Sequence, residues 1–430
     1  MSLPTKIMLG LLLGAGIGIA CNFAWSPAIG TTSVAYEELL WWADKVAHPI
    51  GQLFLRLLFM VVVPIVFCSL FLGVAGLGSV QALGRLGGKA LVWFLGTTAF
   101  AAVLGIVLVS TVQPGRQVSP EVAARVQAEY AKVAADKISE GQKGSGFSLQ
   151  TFVEIVPDNV VGAAADNKKV LGVIFFALLL GAAATRLAGE RTRVLREFLE
   201  AVYELCLKVL GWAMELAPIG VACLMFTATA KLGIDVMKLV GWYFVTAMGG
   251  LLFYQFVVLT AFARVFAGVP PLRFLRGCKT LLATAFSTSS SNATMPTTMR
   301  TATDEFGVPK EIAGFVMPLG ATMNMNGTAL FEGVVVLFLA QVSGLQLGFG
   351  EQLLLVGLAV LTAIGAAGVP GGSLPLLAVV LTQVGIRPEM LALILGVDRL
   401  VDMTRTLPNV TSDLVCSMWL ARREGHVLKS

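Results

Sequence analysis

LALILGVDRLVDMTRTLPNVTSDLVCSMWL, residues 391–420, is the stretch whose reading decides the fold. Within it Asp398, Asp402, Arg405, Asn409 and Asp413 follow one another at intervals of four, three, four and four residues. That spacing sets all five polar groups on one face of a helix, while Leu393, Leu395, Leu400, Leu407 and Leu414 cover the others. In lipid such a face is costly, because an Asp or Arg near the bilayer centre costs about 2.5–3.5 kcal/mol on insertion scales. The four charges are therefore kept only if they face protein, water or ions. A soluble amphipathic helix with a solvated face is the competing reading, and the composition of the chain counts against it.

Apolar residues make up 56% of the 430 residues and charged residues 13%, against about 45–50% and about 25% in soluble domains. The chain is expected to be an integral membrane protein. Its net charge of +5 is less informative than where the Lys and Arg lie. Cys21, Cys68, Cys206, Cys223, Cys278 and Cys416 lack metal-ligand spacing and read as small core residues. His48 and His426 lie near segment ends and form no catalytic set, so metal and nucleophilic catalysis have no visible basis. Lys6 followed by an apolar run ending in Gly18-Ile19-Ala20-Cys21 has the outline of a lipoprotein signal. Residues 7–25 also supply the roughly 20 apolar residues a span needs, and a first span is the preferred reading.

Further apolar runs cover residues 46–77, which must tilt or extend beyond a bilayer, and 90–112. The charge-mixed stretch 113–146 reads as an extramembrane loop. Residues 160–187 are interrupted by Asp166, Asn167, Lys168 and Lys169, so only their later part has the character of a span, and two more runs cover 205–232 and 237–265. With a cytoplasmic N-terminus, Arg85 with Lys89, the Arg186, Arg191, Arg193, Arg196 cluster, the Arg264, Arg273, Arg276, Lys279 cluster and Arg422 with Arg423 all fall inside.

From Leu281 onward the apolar stretches are interrupted. Residues 283–302 contain Ser287-Thr288-Ser289-Ser290-Ser291-Asn292, residues 313–342 contain Asn324-Met325-Asn326-Gly327-Thr328, and residues 353–384 contain Gly368-Val369-Pro370-Gly371-Gly372. Irregular backbone at membrane depth is tolerated only inside protein or beside a cavity, so the first and third read as re-entrant hairpins. Each hairpin precedes a polar-interrupted helix, the pattern of an inverted-topology repeat. A serine-rich tip offers hydroxyls and N–H groups to a carboxylate, and equally suits a small-residue packing face. An unwound Asn324–Thr328 turn would release carbonyl oxygens suited to a hard cation such as Na+, where a plain kink is the simpler alternative. On the opening helix Arg405 can pair bidentately with a carboxylate and Asp402 can meet a cationic amine, although an internal pair, Asp402 with Arg405 or Asp398 with Arg399, would use the same charges. Pro408 removes one helical hydrogen bond and is expected to make the helix irregular beside Asn409.

With these motifs in order, the sequence resembles the glutamate transporter homologue family, the dicarboxylate/amino acid:cation symporters. The resemblance rests on Ser289 to Pro296, the Pro318-Leu319-Gly320-Ala321-Thr322 run leading into Asn324 to Thr328, Gly368-Val369-Pro370-Gly371, and Asp398 through Asp413 with Arg405-Thr406 and Asn409-Val410-Thr411. It implies an all-α membrane protein of eight transmembrane helices plus two re-entrant helical hairpins, assembled as a homotrimer. Scaffold parts would be residues 1–79 and 114–234. Transport parts would be residues 80–113 and the core 235–430, moving across the membrane like an elevator. The family pattern implies Arg405 for the substrate's side-chain carboxylate and Asp402 for its amino group, with Asn409, Thr406, Thr328, Ser291, Gly368 and Val369 completing the pocket. It implies one Na+ at Gly320, Asn324, Asn409 and Asp413, a second at Thr322 and Met325 with backbone near Ile364 and Ala366, and a third at Thr97, Thr98, Asn324 and Asn326.

Position 326 departs from the pattern, since the family usually has Asp there; Phe94 and Asn292 also stand where a hydroxyl is common. Asn brings no charge, so a third cation should bind more weakly or not at all. The expected function is a secondary active symporter for L-aspartate or L-glutamate in a cell inner membrane, with both termini cytoplasmic, driven by Na+ with H+ as a further coupling ion. The alternative within transport is a C4-dicarboxylate or neutral amino acid symporter. An ion channel would not need a pocket combining Asp402 with Arg405, and an intramembrane hydrolase would need a His or Lys partner for Ser289 to Ser291.

Overall fold

The computed structural model describes residues 3–25, 34–76, 85–117, 156–165, 169–187, 189–366 and 368–429. Asp166, Asn167, Lys168 and most of the 113–146 loop lie outside the described residues. Among the described residues every regular element is helical. The first helices are α1 (Leu3–Trp25), α2 (Val34–Trp42), α3 (His48–Phe59), α4 (Val62–Gly76) and α5 (Arg85–Val112). After them come α6 (Val170–Arg186), α7 (Gly189–Leu232) and α8 (Asp235–Phe253). The last third holds α9 (Lys279–Thr288), α10 (Ser291–Arg300), α11 (Lys310–Met323), α12 (Asn326–Val342), α13 (Phe349–Gly365), α14 (Leu374–Gln383) and α15 (Leu395–Arg423). Among the described residues six helical stretches are long and apolar enough to cross a membrane, which makes this a multi-pass membrane protein.

Two details differ from the sequence reading. The run 46–77 is not one regular helix: a turn at Met60 and Val61 separates α3 from α4, and Pro64 falls in the first turn of α4, where a missing N–H costs nothing. Pro408 does not interrupt α15, which is helical from Leu395 to Arg423.

Helix α1 lies along α7 on a face of glycines. A Cβ at Gly10 would run into the Pro218 carbonyl, one at Gly14 into the Ala222 carbonyl, and one at Gly18 into the Thr229 hydroxyl. Glycine at every fourth position therefore lets two backbones meet as larger residues could not. Leu12, Leu13 and Ile17 on the same helix are exposed, as suits a lipid-facing surface.

The two ends of the bundle can be told apart by contacts. Lys89 at the start of α5 pairs with Glu424 beyond α15 at 2.8 Å, and Arg422 donates to the Phe266 carbonyl at 3.3 Å. Lys429 donates to the Asp304 carbonyl at 2.9 Å, just beyond α10. The α9–α10 pair thus has its base at the end where these basic residues gather. At the other end Gly115, past α5, donates to Gln341 near the close of α12, and Ser343 contacts Met390. The α13–α14 pair has its base there. The two pairs enter from opposite ends and meet at their tips, where Ser290 Oγ donates to the Gly368 carbonyl at 2.5 Å and Asn292 N donates to the same oxygen at 3.2 Å. Helices of 10 residues, as α9, α10 and α14 are, rise only about 15 Å, half of a hydrocarbon core of about 30 Å. Helix α12 between them is buried at nearly every residue.

Candidate functional site

Apart from the polar face in the middle of α15, each piece of the site is a helix end or a helix break. Helix α11 stops at Met323 because Asn324 (φ −123°, ψ 75°) and Met325 (φ −109°, ψ 66°) leave the helical region, and α12 resumes at Asn326. The break is two residues long, shorter than the five-residue motif suggested. The new helix start has a free Gly327 N–H, and Asn409 Oδ1 accepts it at 2.8 Å. A Cβ at Gly327 would run into the Arg405 carbonyl, so glycine is what allows α12 to begin against α15. At the first tip Ser289 is left-handed (φ 50°), and Ser290 caps α10 by accepting from Ala293 N at 3.1 Å. At the second, a turn closes by Gly372 N to the Val369 carbonyl at 3.1 Å, and Gly371 takes a φ of 74° that favours glycine.

These ends enclose one small cavity. It is lined by Ser291, Thr328, Gly368, Val369, Asp402, Arg405, Thr406 and Asn409, all eight residues assigned to substrate from the sequence, together with Ser289, Met325 and Ser373. Asp402 and Arg405 are paired here, Arg405 Nη2 with Asp402 Oδ1 at 2.5 Å, and the Arg405 guanidinium lies 4.8 Å from the centre of the Phe331 ring. The other oxygen of Asp402 accepts from Arg399 Nη1 at 2.8 Å and from Gly371 N at 3.1 Å. Arg399 thus pairs with Asp402, not with Asp398. Arg405 Nη1, Arg399 Nε, Asp398 Oδ1, Ser289 Oγ and Ser373 Oγ are buried with no hydrogen-bond partner.

A second polar network lies one turn further along α15. Asn324 Nδ2 donates to Asp413 Oδ1 at 2.7 Å and to Ser412 Oγ at 3.1 Å, and the Gly320 backbone lies directly against the Asp413 carboxylate. Asn326 donates to Ser412 Oγ at 2.8 Å and to the Tyr254 hydroxyl at 3.1 Å, while its Oδ1 accepts from Thr98 at 2.8 Å. Thr97 Oγ1 is 3.5 Å from both Asn324 Oδ1 and Asn326 Oδ1, and Tyr254 donates to the Thr97 carbonyl at 3.3 Å. Of the second proposed cation set, Ile364 and Ala366 are buried at the end of α13, and Met325 Sδ meets the Thr328 hydroxyl at 3.9 Å. The Thr322 hydroxyl instead donates back to the Leu319 carbonyl at 2.9 Å from an exposed position. No group of three or more His, Cys, Asp or Glu side chains that could hold a metal ion occurs among the described residues. Any cation site here is built from carbonyl, amide and hydroxyl oxygens with Asp413, the ligand set of a hard cation.

Tyr254, Ser412 and Glu332 have no role in the sequence reading, and Arg399 has one only as a partner for Asp398. Arg399 lies about 100° around the helix from Asp398 and so off the polar face. Tyr254 and Ser412 carried no periodic signal. Glu332 did carry one, four residues beyond Thr328 on the same helix face; it is fully buried, accepts from Thr362 Oγ1 at 2.6 Å, and its Oε1 has no partner.

The family model described as the sodium:dicarboxylate symporter family matches residues 3–423. A proton/sodium-glutamate symport protein of Bacillus subtilis (strain 168) is 34% identical over 427 residues, 98% of this chain and 93% of the relative. The proton/glutamate-aspartate symporter of Escherichia coli (strain K12) is 32% identical over 384 residues, 89% of this chain and 86% of that protein. A C4-dicarboxylate transport protein of Agrobacterium fabrum is 33% identical over 384 residues, 88% of this chain and 83% of its own length.

Proposed function

The chain belongs to the sodium:dicarboxylate symporter family, a family of transporters and not of enzymes, and from that premise we propose that it carries L-aspartate or L-glutamate across the membrane together with cations. The observation that carries this reading is the cavity in which Arg405 and Asp402 face each other between the tips of two helix pairs. An acidic amino acid presents a carboxylate and an ammonium, and each matches one member of that pair. On binding, the side-chain carboxylate takes Arg405 bidentately and the ammonium takes Asp402. The internal pair opens and both charges exchange one partner for another. No buried charge is left alone during the exchange, a condition that matters because an unpaired one costs several kcal/mol. Asn409, Thr406, Thr328 and Ser291 supply hydrogen bonds, and the backbone at Gly368 and Val369 closes the pocket as a lid.

One Na+ would be held by Asp413 with Asn324, Asn409 and the Gly320 carbonyl. A second would lie between Met325 and the backbone at Ile364 and Ala366, with Thr322. The third set fits a cation poorly: Asn326 brings no charge, both its N–H bonds are directed at Tyr254 and Ser412, and its oxygen serves Thr98. The chain would therefore couple to fewer Na+ ions than a relative with Asp at that position. A proton would be the further ion, with Glu332, which no basic side chain pairs among the described residues, as its holder.

Eight spans, two re-entrant hairpins, a homotrimeric scaffold and an elevator movement of the core complete the proposal. Support comes from the opposite entry of the α9–α10 and α13–α14 pairs and from the packing of α1, α3 and α7 around one another, in a cluster that Leu374 of α14 and Leu395 of α15 also join. The end that gathers Lys89, Arg422 and Lys429 would face the cytoplasm of an inner membrane. Uptake of labelled L-aspartate by proteoliposomes tests the function. An inward Na+ gradient is expected to drive accumulation, and an added inward proton gradient to accelerate it. Equal uptake with and without a Na+ gradient would refute Na+ coupling, and indifference to the proton gradient would remove the proton.

A further inference from the structure

Arg399 has no place in the mechanism so far, yet it is 7% exposed, carries a full charge and aims at the site. It does not line the cavity. Its Nη1 instead holds Asp402 Oδ2 from behind at 2.8 Å, on the oxygen that also accepts Gly371 N, while Arg405 holds Oδ1. Asp402 is thus bracketed by guanidinium groups three residues before and three residues after it on one helix.

The consequence concerns what the pocket demands of a substrate. Once a substrate carboxylate occupies Arg405, Asp402 loses one of its two cations. Were Arg399 absent, that carboxylate would be buried with only the Gly371 N–H, and an ammonium on the substrate would be nearly obligatory. With Arg399 in place, Oδ2 keeps a charge-assisted hydrogen bond throughout, and Asp402 remains compensated whether or not the substrate brings an amine. The four charges Asp398, Arg399, Asp402 and Arg405 also sum to zero, so a dianion entering the pocket meets no net negative charge from these two turns of the helix.

We propose that Arg399 is a positioning residue that sets how strongly the pocket requires an amino group, and that it widens the substrate class to C4-dicarboxylates without an amine. The inference rests on the transport reading above, in which Arg405 receives the substrate carboxylate.

The test is uptake of labelled L-aspartate and labelled succinate by proteoliposomes carrying the full chain, as wild type, Arg399→Gln and Arg399→Lys. Wild type is expected to take up both. In Arg399→Gln the ratio of succinate KM to aspartate KM should rise by about tenfold, the order of one charge-assisted hydrogen bond, and Arg399→Lys should return much of the difference. A merely structural role would move both KM values together. A ratio unchanged in Arg399→Gln overturns the inference, as does a ratio that falls. If Arg399→Gln fails to fold, Arg399→Lys decides alone: its single-point charge should raise the ratio detectably above wild type, and an unmoved ratio counts against Arg399. Wild-type protein that takes up neither substrate overturns the transport reading itself, whereas uptake of both with an unmoved ratio overturns only this inference.

Discussion

Two polar networks lie one above the other on α15, and they are built on opposite principles. Around Asp402 the groups are charged, and Arg405 Nη1, Arg399 Nε and Asp398 Oδ1 remain without partners. Around Asn326 the donors and acceptors of the amide are all matched, by Tyr254, Ser412 and Thr98. Unmet hydrogen-bonding capacity in a buried site is expensive and is kept where a ligand will meet it; matched capacity rigidifies. The first network is therefore built to exchange partners and the Asn326 amide to stay closed, although both lie along the same helix.

The largest expected effect comes from breaking the charged network. Asp402→Ala leaves Arg399 and Arg405 buried together without an anion and is expected to destabilise the protein by about 3–5 kcal/mol, read as a lowered melting temperature of the purified protein together with loss of uptake. An unchanged melting temperature would mean that water already compensates these charges. A smaller effect should follow from turning the neutral network into a charged one. Asn326→Asp restores an anion at a set of hydroxyl and amide oxygens and should raise Na+ affinity by about tenfold or steepen the Na+ dependence of uptake. No change in either would place position 326 outside any cation site. Smallest is Tyr254→Phe, which removes one partner of the Asn326 amide; a loss of about 1 kcal/mol in stability with Na+ dependence retained is expected. A Na+ dependence altered by Tyr254→Phe would show that the neutral network is not simply structural.

How much of this was legible in the sequence follows from which interactions are periodic. The polar face of α15 repeats with the helix, so Asp402, Arg405, Asn409 and Asp413 could be found by spacing alone. The Gly- and Ser-rich interruptions marked the two tips, because such residues announce irregular backbone wherever they fall among apolar runs. The length of a break was harder to read: Asn326, Gly327 and Thr328 look like helix breakers, but Asn409 accepts the Gly327 N–H and lets α12 start early. Pro408 likewise promised an irregularity that the packed helix absorbs. Arg399 was legible as a charge that pairs on its own helix but not as the partner of Asp402, because Asp398 and Asp402 both lie close to it in sequence. Tyr254 was illegible for a different reason: it meets Asn326 through a long-range contact, and nothing in local spacing distinguishes it from a core aromatic.

The measurement that tests the central claim most directly is initial uptake of labelled L-aspartate under one fixed inward Na+ gradient, by vesicles reconstituted with equal amounts of wild-type and Arg405→Ala protein. If the substrate carboxylate takes Arg405 in exchange for Asp402, wild-type uptake is driven by the gradient and Arg405→Ala uptake falls to the level of vesicles without protein. An Arg405→Ala rate equal to that of wild type would contradict the account.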